Sequence, residues 1–451
     1  IAISENDRKE KIFSVNGPPG TGKTTLLKEI IASNVVQLAE VLIKYGISGS
    51  NFVPRKVEST SNARYTEKYY EIPEEISKYG ILVVSNNNGA VENITLDLPK
   101  SGDMEKDKTR TDYFDRKINK EVYFSAVADN LLGKEGGAWG LISARMGRKS
   151  YVTEVLESCV FAKKNDASDK VTLDLAREDS ISWDEAIDKF NVAKRKVLLL
   201  REGIKKDQKL LDDFYKEGEG LAKSKLDLKQ LLIEKEQLNI KLNDVRTELE
   251  SNEQETLEQE GEIKYIKEHS SIFKKLLILL GIGKIGRHVA EKQKYVDELI
   301  INHEDIKRRY SLAVRNTEEV CGKIENQYSI ISTLEKKVQI LEEKVYGNNE
   351  SLKNKYKNNF ADRNFYEAIK ESENSQNACP WTFDEYDMAR EELFFASLQV
   401  RKAFILESPY IKRNLFVYEA YNNGKYTMEE KKEMFPHLFN SLSIVIPVLS
   451  S

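Results

Sequence analysis

Gly17-Pro18-Pro19-Gly20-Thr21-Gly22-Lys23-Thr24 fits the pattern GxxxxGK[ST] residue for residue. The chemistry this spacing serves is the grip on a triphosphate. Glycines let successive backbone N–H groups turn inward onto phosphate oxygens. Lys23 is placed to reach the β- and γ-phosphates, the Thr24 hydroxyl to hold Mg²⁺, and Thr25 to complete the run, so ATP with Mg is the expected cofactor.

Such a loop works only between a strand and a helix. Residues 11–15, KIFSV, read as the strand, and TTLLKEIIASNVVQLAEVLIKY, from Thr24, as the helix whose positive dipole end faces the phosphates. A polar insertion over 46–79 follows. The continuous apolar run Ile81–Val84 then predicts a buried parallel strand. It ends in the turn Asn86-Asn87-Asn88-Gly89, with a short helix from Ala90 and Pro99 beyond its end. Short polar amides at a strand tip can hold a phosphate backbone; an Asn-rich turn that only caps a helix is the plainer alternative.

GPPGTGKT followed by VVSNNNGAVENI resembles the first two motifs of superfamily-one helicases, in the branch related to the nonsense-mediated-decay helicase. Asn87 stands where that branch usually has Ser. The stretches 124–147 and 390–415, and the closing LFNSLSIVIPVLSS, look like bacterial members of the branch. The resemblance implies an α/β, RecA-like phosphate-loop domain, ATP-driven movement along single-stranded RNA or DNA, and contacts to that strand from Asn88, Ala90 and Asn93. The last strand should then lead to an acidic Asp-Glu box.

That box is not found. Asp184-Glu185 and Asp384-Glu385 have the dipeptide without a buried strand before it, and no arginine finger can be named. The chain opens on Ile1, almost directly on a strand, and stops on SLSIVIPVLSS, which also reads as a strand, so both ends read as cut from something longer. The acidic box and the arginine are expected beyond residue 451. The chain alone is expected to bind ATP and hydrolyse it poorly.

Composition narrows the class. The chain has 451 residues, 32% of them charged, and a net charge of −4. No global basic excess announces nucleic acid, although one basic groove fits within that balance. Cys159, Cys321 and Cys379 are far apart and the four histidines do not cluster, which argues against a disulfide framework and a structural zinc site and for a cytoplasmic chain. The longest apolar run, Leu276–Leu280, is too short to span a bilayer.

The middle of the chain has another period. Positions 231, 235, 238, 242, 245, 249, 252, 256, 259, 263 and 266 step by fours and threes, and so does the series from Leu299 to Val345. Both are heptad seams, and proline is absent from 100 to 379. Gly281, Gly283 and Gly286 interrupt them, predicting an antiparallel coiled-coil hairpin with its tip near 270–288 and arms of roughly 75 Å. Asn252, Gln259, His303 and Gln327 sit in the seams, where polar residues set register at a cost in stability. The tip, IFKKLLILLGIGKIG, is apolar and basic. It reads as a docking knob for a protein partner or for self-association, as a local cluster closing the hairpin, or, third, as a membrane contact.

The predicted organisation is a RecA-like first part over 1–189, a coiled-coil insertion over 190–347, and a return to the RecA-like domain over 348–451. An ATPase of the structural-maintenance-of-chromosomes kind would need a Leu-Ser-Gly-Gly signature, which is absent. An AAA+ remodeller would need its acidic box soon after the loop, where ILVVSNNN stands instead. A nucleotide-sensing scaffold, in which the coil does the work, stays open.

Overall fold

A computed structural model describes residues 23–48, 51–58, 66–84, 95–99, 123–132, 137–159, 172–176, 180–348, 350–368 and 378–450. The chain divides into two compact units, residues 1–202 with 382–451, and residues 203–381.

In the first unit, helix α1 (Lys23–Tyr45) buries a stripe of Ile31, Val35, Leu38 and Leu42, spaced by fours and threes as one face of a helix requires. It packs on α10 (Asp384–Glu407), and Arg390 of α10 pairs with Glu29. β1 (Pro54–Glu58) and β2 (Thr66–Tyr70) form an antiparallel pair. The outer edge of β2 is closed by Asn414 of α11 (Pro409–Asn422). Its amide oxygen accepts from Tyr70 N–H at 2.7 Å and its amide nitrogen donates to Tyr70 C=O at 2.8 Å. One buried side chain thereby replaces a neighbouring strand.

A second sheet is parallel, in the order β3 (Ile81–Val83), β5 (Val448–Ser450), β4 (Ser143–Arg145). The central strand is fully buried. It is fed by α12 (Met428–Val445), which starts on a capping box: Thr427 N–H donates to the Glu430 carboxylate at 2.9 Å, and Glu430 N–H to the Thr427 hydroxyl at 3.4 Å. At its other end the last-turn carbonyls are taken up by buried donors. Arg401 donates to Ser443 and Ile444 C=O, and the Tyr123 hydroxyl to Val445 C=O at 2.6 Å. A cation there also complements the helix dipole. Helix α3 (Ser125–Leu132) and helix α4 (Lys149–Cys159) cover the β4 side; a short α2 (Glu74–Ser77) precedes β3.

The expected RecA-like α/β domain is not the architecture. Among the described residues the structure is 79% helical, the five short strands fall into a two-stranded and a three-stranded sheet, and one helix, α5 (Trp183–Glu268), runs for 86 residues. Two readings of apolar runs account for much of the difference. SLSIV, read as strand, is the buried last turn of α12, leaving only Val448–Ser450 extended. A short apolar run does not by itself separate a buried helix from a buried strand. Ile81–Val83 is a strand, but among the described residues it pairs only with β5, and Leu82 is 50% exposed.

The second unit is a helical hairpin built from the rest of α5, a short α6 (Ile272–Leu279) and α7 (Gly283–Tyr346). Every position of both heptad series is buried or half-buried. Cross-links run antiparallel: Tyr295 to Glu255, Arg309 to Glu248, Gln327 to the Ser224 carbonyl, and Lys225 to Glu335. The 64 residues of α7 span about 96 Å at 1.5 Å each. Past Gly347, α8 (Leu352–Tyr356) and α9 (Arg363–Ala368) pack on the hairpin's open end. Lys355 and Tyr356 both bond Asp207, at 2.6 and 2.7 Å, and the Arg363 guanidinium lies over the Tyr215 ring.

Candidate functional site

The glycine loop, Gly17 to Gly22, lies outside the described residues, as do Asn88, Ala90 and Asn93. What is placed is the element that must hold the loop. Helix α1 is described from Lys23, the residue after the last loop glycine, through Thr24 and Thr25. The first turn of a helix carries N–H groups without intrahelical partners, together with the positive dipole end. No acidic residue stands in that turn to compete with a phosphate. The buried stripe on α10 anchors the helix below it.

The residues on either side of the Asn-rich turn are placed at the carboxyl edge of the parallel sheet. Register sets Val83, Ser450 and Arg145 side by side at the strand ends. Thr95 is tied to the same edge: its hydroxyl donates to Ser450 Oγ at 2.8 Å, and Ser143 Oγ donates to its carbonyl at 2.6 Å. Trp139 secures the end of this stretch, donating from Nε1 to Leu98 C=O at 2.9 Å and from its backbone N–H to Pro99 C=O at 2.8 Å. The carboxyl edge of a parallel sheet is where open α/β sheets bind ligands.

Sequence reasoning missed a cluster at that edge. Arg145 ends β4, and Arg148, Lys149 and Tyr151 follow at the start of α4. The Arg145 guanidinium lies 4.5 Å from the Tyr151 ring centre and that of Arg148 5.7 Å. Neither arginine makes an ion pair among the described residues. A small cleft beside them is lined by Thr95, Pro99, Arg145, Tyr151 and Glu154. Cations interleaved with an aromatic face suit phosphates and a stacked base. The signal was present in RMGRKSY, three cations and an aromatic within seven residues.

Behind the edge Tyr123, Arg401 and Cys159 are buried. Burial raises the pKa of the Tyr123 phenol, while Arg401 beside it pulls the other way. Burial likewise lowers the pKa of Arg401, opposed by Tyr123. The Cys159 thiol, buried on α4, is pushed up to about 12, which makes it a packing residue and not a nucleophile. The two acidic dipeptides are ordinary helix starts: Asp184-Glu185 lies in the first turn of α5 and Asp384-Glu385 in that of α10. Among the described residues no group of three or more His, Cys, Asp or Glu could hold a metal ion, and no helix is long and apolar enough to cross a membrane. No protein-family model, curated protein or solved structure matches the chain.

Proposed function

We propose that the chain binds Mg-ATP at Gly17–Thr25 and acts on a single nucleic-acid strand, as part of a helicase- or translocase-type motor. The observation that carries the nucleotide reading is a complete GxxxxGKT whose last residues run into helix α1. ATP would supply a phosphate charge that this helix end is suited to hold. The strand reading rests on the resemblance of VVSNNNGAVENI together with Arg145, Arg148 and Tyr151 at the same sheet edge as Val83 and Thr95. Hydrolysis would need a carboxylate beside the Mg²⁺. Neither acidic dipeptide among the described residues follows a buried strand, so binding, not turnover, is the property to test on this chain.

A second reading is a nucleotide-sensing scaffold, favoured by the length of α5 and α7. Fluorescence anisotropy with labelled single-stranded RNA and DNA separates the two. The motor reading expects binding that changes with ATP. It also expects the double substitution Arg145→Glu, Arg148→Glu to weaken binding at least about tenfold and to flatten its salt dependence. Binding that ignores both ATP and the two arginines, or no binding, would leave the scaffold.

A further inference from the structure

We infer that the tip of the helical hairpin docks peripherally on an anionic lipid surface. Helix α6 is apolar on two sides, and only one is used. Ile278 packs inward against the cluster of Ile263, Val289 and Val296. The outer side carries Ile272, Phe273 and Leu279, exposed by 90%, 70% and 81%, with Leu276 between them. These residues take no part in closing the hairpin. Closure is backbone work: Gly281 and Gly283 adopt φ of +67° and +74°, Ile282 N–H donates to Leu277 C=O at 3.0 Å, and α7 passes so close that a Cβ on Gly286 would meet that carbonyl at 2.4 Å. The local-cluster reading therefore leaves the outer face unexplained.

Charge selects the occupant. Between Glu268 and Glu291 there is no acidic residue, while Lys274, Lys275, Lys284 and Arg287 all fall there. None of the four is held in an ion pair among the described residues, whereas cations farther along the hairpin are, as in Lys292–Glu262 and Arg309–Glu248. A second copy docking tip to tip would press like charges together, and an eight-residue helix offers far less area than a stable dimer buries. An anionic bilayer accepts protruding aliphatic side chains without a matching groove, and it attracts the flanking lysines. Their alkyl stems can lie along the apolar face while the ammonium groups reach the headgroups. An eight-residue helix lies at the interface and does not span it.

The test is flotation of the full chain with vesicles of phosphatidylcholine alone and of phosphatidylcholine with phosphatidylserine. Wild type should float with the anionic vesicles, less so as salt rises, and not with the neutral ones. Phe273→Asp with Leu276→Asp, and separately Lys274→Glu with Lys275→Glu, should each weaken this at least about tenfold with an unchanged helical circular-dichroism signal. Lys23→Ala should float like wild type, which keeps this outcome separate from the nucleotide reading. The inference is overturned if wild type does not float, if it floats equally with neutral vesicles, or if both tip variants float as wild type does. A dimer in solution that the Phe273/Leu276 variant abolishes, without flotation of wild type, would assign the tip to self-association instead.

Discussion

His437 of α12 is half-buried beside β2. Its Nδ1 accepts from Ile72 N–H at 3.3 Å and its ring stacks on Tyr69. Burial holds its pKa below the ordinary 6.5; Glu71 opposes the shift and Arg55 adds to it. The folded chain therefore keeps the imidazole neutral while the unfolded chain takes up a proton below about pH 6.5. Its contribution is complete above that pH and is lost as pH falls toward the depressed value. Urea unfolding of the wild type should show stability falling as the pH drops below about 6.5, and His437→Gln should flatten that slope. An equal slope in the variant would show that another group titrates. The same logic of burial explains why Arg401 is tolerated without a carboxylate: its charge is spent on carbonyls at a helix end that would otherwise be orphaned.

The elements divide by how openly their periods are written. The two heptad series coincide with shielded positions of α5 and α7 because a two-helix seam can be nothing but a stripe of period 3.5. Among its polar members, Gln259 accepts from Lys292 and Gln327 donates to the Ser224 carbonyl, whereas the buried Asn252 amide oxygen has no partner. Asn252→Leu should raise the unfolding free energy by about 1–2 kcal/mol, seen as a higher unfolding midpoint, as expected when an unsatisfied buried polar atom is removed. A lower midpoint would mean that the amide has a partner in solution. Apolar runs were less legible. SLSIV is helix in a tertiary setting that no local window contains: Arg401 and Tyr123, distant in sequence, take up the carbonyls of Ser443, Ile444 and Val445.

At the scale of the whole molecule, the heptad reading, which depended on local spacing, is met, the sheet reading, which depended on assembly, is not, and the glycine loop lies outside the described residues. A glycine loop and a heptad are local, and three or four residues identify them. A RecA-like sheet is a long-range object, and strand-like runs do not state how many strands pair or which residues stay exposed, as Leu82 shows. The carboxyl edge bearing Arg145 and Thr95 draws on β3, β4 and β5, residues more than 350 apart in the chain, so no window of sequence contains it. Nucleotide binding stands on local spacing, and it is the claim on which the proposed function turns. The direct measurement is isothermal titration calorimetry of Mg-ATP into the full chain and into Lys23→Ala, with circular dichroism to confirm that the variant is folded. Saturable binding by wild type, lost or weakened at least about a hundredfold in the folded variant, is the expected result. Equal affinity in both, or no binding by wild type, would contradict it.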